Sequence, residues 1–345
     1  MSRSLDLVAR RCKDSEPPEG RPPVGIAGVT YRLPGTVRGL GELQAAGELR
    51  SPPETLARFG FRQVYVAETE TPFDMAMGAV EDLLSETGTD PEEIGAVIYA
   101  GALASSSTLA AEPAAVQGAA LDPSGVMELF RYPVSRIQAE LGMVRATAIG
   151  VNQQACASVF TAIRMGRDML LAEPDLGPVL CVAADRFPPD ATREMIYNVV
   201  SDAGCAVLLR RGWPSDRIVA CGHVTKGALW DTAAMTNEIV AAYFPTARTL
   251  IHDTVARAGL ELDDVAWIIP HNVSLRSWEI LLGLLEFPME RLFADNIARV
   301  GHTIASDGVL NLRDLLDSGR VREGDRLLLF TFGFGLNWSC LLLEH

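Results

Sequence analysis

The sequence predicts an α/β protein in which two similar halves stack into one five-layered body. Three observations carry this expectation. Apolar β-type runs alternate with helical patterns along the chain. That alternation repeats once in detail. A chain of 345 residues is long enough for one domain made of two such units.

Buried strands are expected at Val97–Tyr99, Val179–Val182, Cys205–Leu209, Trp267–Ile269, Leu327–Phe330 and Cys340–Leu343. Helical periodicity with few breakers marks Asp74–Glu86, Cys156–Leu171, Ala247–Ala258, Leu275–Leu285 and Leu310–Ser318. The repeat lies between Met77–Gly101 and Leu250–His271. Each copy runs helix, glycine (Gly88, Gly259), acidic link (Asp90–Glu93, Glu261–Asp264) and apolar strand. Two copies of one unit, each with its own sheet, bring the ends of equivalent elements together at a pseudo-twofold axis. Matching loops of the two halves can therefore line one site.

Composition narrows the function. A formal net charge of -14 argues against nucleic-acid binding and against docking on anionic lipid. No apolar stretch is long enough to span a bilayer. Residues 1–23 are polar, charged and proline-rich, without a signal-peptide pattern, and read as a disordered or loosely packed arm. A cytoplasmic protein is expected. The six cysteines lack C-x-x-C spacing, so neither a metal site nor a disulfide framework is indicated.

Cys156 stands apart, in Val151–Ser158, where a strand end passes into a long helix. Unpaired N–H groups and the positive end of the helix dipole favour thiolate at such a position. Taken alone, a cysteine opening an apolar helix is more often a small packed residue. His271 follows the strand Trp267–Ile269, where the repeat makes it equivalent to Gly101; it can serve as acid, base or donor, or simply be a satisfied structural histidine. His302 lies in a small-residue loop, Val300–Ser306, that opens the next helix and suits a second donor. The turn Phe332–Trp338 is interrupted by glycines, which let backbone N–H groups approach a ligand; it is also what a tight hairpin looks like.

Together these stretches resemble the β-ketoacyl-ACP synthase III family of the thiolase superfamily. The C-terminal half carries the resemblance in Ile269–Asn272, Leu275-Arg276, Pro288–Arg291, Asp295–Ile297, the Gly301 loop, Gly319–Asp325 and the Phe332–Trp338 turn. The N-terminal half carries it in Arg58–Arg62, the Cys156 segment and Ser201–Leu208. The resemblance covers roughly residues 24–345 and implies a thiolase-like αβαβα fold from two duplicated βαβαβαββ halves, residues 24–212 and 213–345. It implies a Cys–His–His acyltransferase in which Cys156 takes an acyl group from acyl-CoA or acyl-ACP, with no bound cofactor. The backbone N–H groups of Cys156 and Phe334 would form the oxyanion hole. His271 and His302 would hold a malonyl thioester during decarboxylation. Arg276 would receive the acidic acyl carrier protein, and in a homodimer Tyr132 would cap the partner's acyl pocket.

The chain also departs from the family pattern. His302 stands where family synthases usually carry Asn, and imidazole can accept a proton as well as donate one. An insertion spans about residues 102–130, Glu54 lies near the place of a CoA-stacking tryptophan, and Phe334 replaces a glycine. These differences point to specialised, polyketide-type metabolism and leave two second steps open. The leading reading is decarboxylative condensation with malonyl-ACP, and the alternative is transfer of the acyl group to a hydroxyl or amine of a natural-product acceptor. A non-catalytic partner subunit is a third reading, disfavoured because the nucleophile is retained.

Overall fold

The computed structural model describes residues 22–107, 109, 127–128, 130–189, 191–196 and 198–345. Nearly all of the expected arm, and most of the insertion at 102–130, lie outside the described residues. Numbering only the strands of the main sheet and the helices that cover it, the first half contains β1 (Val24–Arg32), α1 (Pro72–Thr87), β2 (Ala96–Tyr99), α2 (Pro133–Glu140), β3 (Thr147–Gly150), α3 (Ser158–Ala172), β4 (Val179–Asp185) and β5 (Ala203–Arg211). The second half contains β6 (Arg217–Thr225), α4 (Thr236–Arg257), β7 (Val265–Ile269), α5 (Leu275–Leu285), α6 (Asp307–Asp317), β8 (Arg326–Gly333) and β9 (Asn337–Glu344).

Local chemistry sets these boundaries. Pro72 opens α1 behind a Thr71–Asp74 capping box, and Ser274 caps α5. The repeated link takes the same shape twice. Gly88 and Gly259 have φ of 62° and 71°, and short 3-10 turns, Pro91–Glu93 and Leu262–Asp264, then feed β2 and β7. The helix expected to begin at Ala247 starts at Thr236, because Pro245 lies inside it and reads in sequence as a helix breaker.

The sheet order is β7-β8-β9-β6-β1-β5-β4-β2-β3. Its two halves mirror each other outward from β1 and β6. The C-terminal counterpart of β3 is reduced to a single bridge between Ile268 and Leu292. The separate sheets expected from the repeat meet at one point, the Gly25–Arg217 pair, where Ile26 N–H donates to Asp216 O at 3.0 Å. The turn between Arg211 and Arg217 leaves the start of β6 beside the start of β1.

Side-chain alternation sorts the core into layers. Val97, Leu180, Val182 and Leu208 face α1 and α2. Leu328, Phe330, Cys340 and Leu342 face α4 and α5. The opposite faces, including Ile98, Cys181, Val207, Leu329 and Leu341, enclose α3 and α6 in one shared core. The result is the expected αβαβα succession, with the two central helices shared by both halves.

Those helices meet where Gly308 lies under the Phe160 ring: a Cβ at Gly308 would sit 2.6 Å from two ring carbons. Gly308→Val should therefore cost about 1–3 kcal/mol through overpacking. Thermal unfolding checks this, with a Tm several degrees below that of the parent expected and an unchanged Tm contradicting the packing described.

Candidate active site

Cys156 sits in a 3-10 turn, Ala155–Ala157, one step before α3 begins. Ala155 precedes it with φ of 45°, a left-handed conformation that L-residues rarely adopt and that turns the chain sharply. The side chain is nearly buried against Phe187, Val200 and Ile304. The Cys156 carbonyl accepts the Thr331 hydroxyl at 3.3 Å, which ties the turn to β8.

His302 arrives from the other half. Its N–H donates to Val199 O at 2.9 Å, and its carbonyl accepts Ser201 N–H at 2.8 Å, so residues of the first half hold it in place. Its Nε2 lies 3.5 Å from Cys156 Sγ, and its Nδ1 lies 2.6 Å from Asp307 Oδ2. Asp307 is the first residue of α6, where the helix dipole favours a negative charge. Its carboxylate also accepts Thr303 N–H (2.6 Å), the Thr303 hydroxyl (2.7 Å) and Asn272 N–H (2.6 Å).

Burial favours neutral His302, but the charges of Asp307 and Cys156 overcome it and hold the imidazole well above its ordinary pKa of 6.5. Burial likewise opposes the Asp307 charge, and the His302 and Thr303 contacts outweigh it, so this carboxyl lies below 3.8.

His271 is buried beyond the end of β7. Its carbonyl accepts the Trp278 indole N–H at 3.0 Å, and its N–H donates to Phe330 O at 3.1 Å. Burial, then the His302 charge, push its pKa down to about 3, so it is neutral near pH 7. Asn311 of α6 donates to Pro270 O and Asn272 Oδ1, each at 2.8 Å, and so braces this corner. Because Asp307 binds the amide of Asn272 as well as His302, one carboxylate positions the chain at both histidines.

The other sequence candidates fall at different distances from this centre. Phe334 opens the turn after β8, its ring 5.7 Å from that of Phe332. Next to it, Gly333 packs so closely on the Cys156 turn that a Cβ there would clash with Gln154 O and lie 3.0 Å from the Cys156 nitrogen. Arg276 is exposed on the first turn of α5 and paired with Glu279 at 2.8 Å. Tyr132 is exposed at the start of α2, edge-on to Phe130. Within one chain it does not join the apolar cluster around Cys156. Glu54 is exposed in the first turn of the short helix Pro53–Arg58. Sequence reasoning missed Asp307 and Tyr243, whose hydroxyl lies 3.5 Å from His271 Nε2. An acidic residue five positions after His302, at a helix start, was the available signal for the first.

Among the described residues no helix is long and apolar enough to cross a membrane. The family model described as 3-Oxoacyl-[acyl-carrier-protein (ACP)] synthase III C terminal matches residues 255–345. The chain is 26% identical over 313 residues to the β-ketoacyl-[acyl-carrier-protein] synthase III of Xanthomonas euvesicatoria pv. vesicatoria (strain 85-10), covering 84% of this chain and 88% of that one. Its fold is similar to that of 3-oxoacyl-[acyl-carrier-protein] synthase III from Aquifex aeolicus VF5, with a TM-score of 0.76 and 21% identity over 93% of this chain and 100% of the other. It is also similar to ChlB3, an acyltransferase, with a TM-score of 0.79 and 22% identity over 94% of this chain and 98% of the other.

The buried pair makes stability depend on pH in a defined window. The His302 contribution is complete below about pH 6.5 and is lost as pH rises through its raised pKa; the Asp307 contribution is present above about pH 3.8 and is lost as pH falls through its lowered one. Asp307→Asn should cost on the order of 3 kcal/mol near neutral pH. Denaturant titrations across pH should show that deficit shrinking at alkaline pH; a deficit independent of pH would contradict the pairing.

Proposed function

We propose, from the premise that this chain is a β-ketoacyl-ACP synthase III-like protein of the thiolase superfamily, that it loads an acyl group onto Cys156 and passes it to a hydroxyl or amine of an acceptor. The observation that carries the reading is the continuous Cys156–His302–Asp307 chain of contacts, 3.5 Å and 2.6 Å long. An imidazole bound through Nδ1 to a buried carboxylate, with Nε2 on the nucleophile, is arranged to move protons.

Two balanced steps follow. In the first, Cys156 Sγ attacks the thioester carbonyl of acyl-CoA or acyl-ACP, the C–S bond of the donor breaks, and its thiolate leaves with the proton held by His302. Acylation removes the sulfur charge, and His302, now neutral, is a base. In the second, His302 Nε2 takes the acceptor's proton as its oxygen or nitrogen attacks the acyl group. The sulfur of Cys156 is expelled and regains its charged partner. The N–H groups of Cys156 and Phe334 would hold the oxyanion in both steps, and the close packing of Gly333 on the Cys156 turn supports their convergence.

The same proposal includes specialised metabolism as the setting and a carrier protein received near Arg276. It also includes a second copy of the chain, whose pocket Tyr132 would cap. Among the described residues β3 ends the sheet with an open row of backbone groups, and that exposed edge supports the homodimer. Decarboxylative condensation is the second reading; the neutrality of His271 favours it, because a neutral imidazole can donate to an enolate.

Intact-protein mass spectrometry after incubation with acyl donors should show an acyl adduct on the parent and none on Cys156→Ala. A chase of the loaded protein with hydroxyl and amine acceptors should then discharge it as ester or amide, about 10²–10⁴ times more slowly in His302→Ala. A β-ketoacyl product with CO2 release from malonyl-ACP, and no acceptor-dependent discharge, would sink the transfer reading.

A further inference from the structure

Among the described residues the His271 ring faces one side-chain hydroxyl, that of Tyr243. Its Nδ1 is buried without a hydrogen-bond partner, and its Nε2 faces the Tyr243 hydroxyl at 3.5 Å, the outer limit of a hydrogen bond. Trp278 and Phe330 pack on the imidazole with ring centroids 5.7 Å away, which fixes the plane of the ring. Tyr243 is braced in turn, edge-on to Phe332 at 5.2 Å and to Phe244 at 5.0 Å. The phenol therefore occupies a defined place in front of Nε2.

We propose that Tyr243 determines the reaction, its phenol occupying the Nε2 edge of His271 and so withholding that imidazole from the thioester carbonyl of a malonyl substrate. The inference rests on the transfer reading above and deepens it. Decarboxylation breaks a C–C bond of the malonyl group and releases CO2; the electron pair passes to the thioester oxygen as an enolate, which then attacks the acyl group. That oxygen needs a donor aimed at it from a pre-built position. Neutral His271 has one N–H to give. With the proton on Nε2 that N–H points at the Tyr243 oxygen, and with the proton on Nδ1 the Nε2 lone pair faces the hydroxyl, so in either tautomer the phenol occupies this edge. Burial keeps the ring neutral, so no second N–H becomes available near pH 7.

Tyr243 is thus a positioning residue acting through His271, and its test needs a readout that a purely structural role would not move. Cys156 is loaded with acyl donor, and CO2 release from malonyl-ACP is measured per loaded protein for the parent, Tyr243→Phe and Tyr243→Ala; the loaded fraction reports folding. Tyr243→Phe removes only the hydroxyl, and Tyr243→Ala clears the whole site. The parent should transfer to an acceptor with little CO2 release, and at least one variant should raise CO2 release about tenfold or more. If both variants load and neither exceeds the parent, the role of Tyr243 is overturned while the transfer reading stands. If the parent itself releases CO2 as fast as it transfers, both fall.

Discussion

His302 Nδ1 and Asp307 Oδ2 lie 2.6 Å apart in a place almost closed to solvent, and the surrounding chain is arranged to keep that pair charged. Burying a lone carboxylate would cost several kcal/mol. Here the start of α6, the Thr303 amide and hydroxyl, the Asn272 amide and the imidazole itself all stabilise the negative charge. A buried ion pair adds little net stability over an apolar replacement. Its consequence is chemical: it holds a proton on His302 beside the sulfur and makes the imidazole a strong base once that proton has been given up.

The duplicated architecture explains how such a pair reaches a cysteine far away in sequence. The two central helices, α3 and α6, are equivalent elements of the two halves and lie side by side in one core. Cys156 precedes the first, and Asp307 begins the second. The same structural position thus supplies the nucleophile from one half and the tuning carboxylate from the other. Val199 and Ser201, at the end of the first half, grip the backbone of His302, so the site forms only when both halves are stacked.

Much of this was legible in the sequence. The repeat around Gly88 and Gly259 carries its own turn chemistry, and runs such as Leu327–Phe330 are apolar enough to be read directly. Cys156, His271 and His302 could be singled out because each follows or precedes a recognisable element. Three things were not legible, for physical reasons. β1 and β6 mix glycines and polar residues with apolar ones, because they lie at the seam, and so lack a clean pattern. Asp307 looks like an ordinary helix-opening acid until the fold turns it towards His302. Tyr243 lies in the part of α4 before Pro245, outside the helix the sequence marked, and only the stacking of that helix over β6 and β9 brings it to His271.

The charge state of His302 decides whether Cys156 has a proton-transferring partner. Histidine-selective 15N NMR of the unacylated protein, followed through pH, measures it directly. The expected result is a His302 imidazole that stays protonated well above pH 6.5 and loses that elevation in Asp307→Asn, while His271 remains neutral down to acid pH. A His302 that titrates at or below its ordinary value in the intact protein would contradict the central claim.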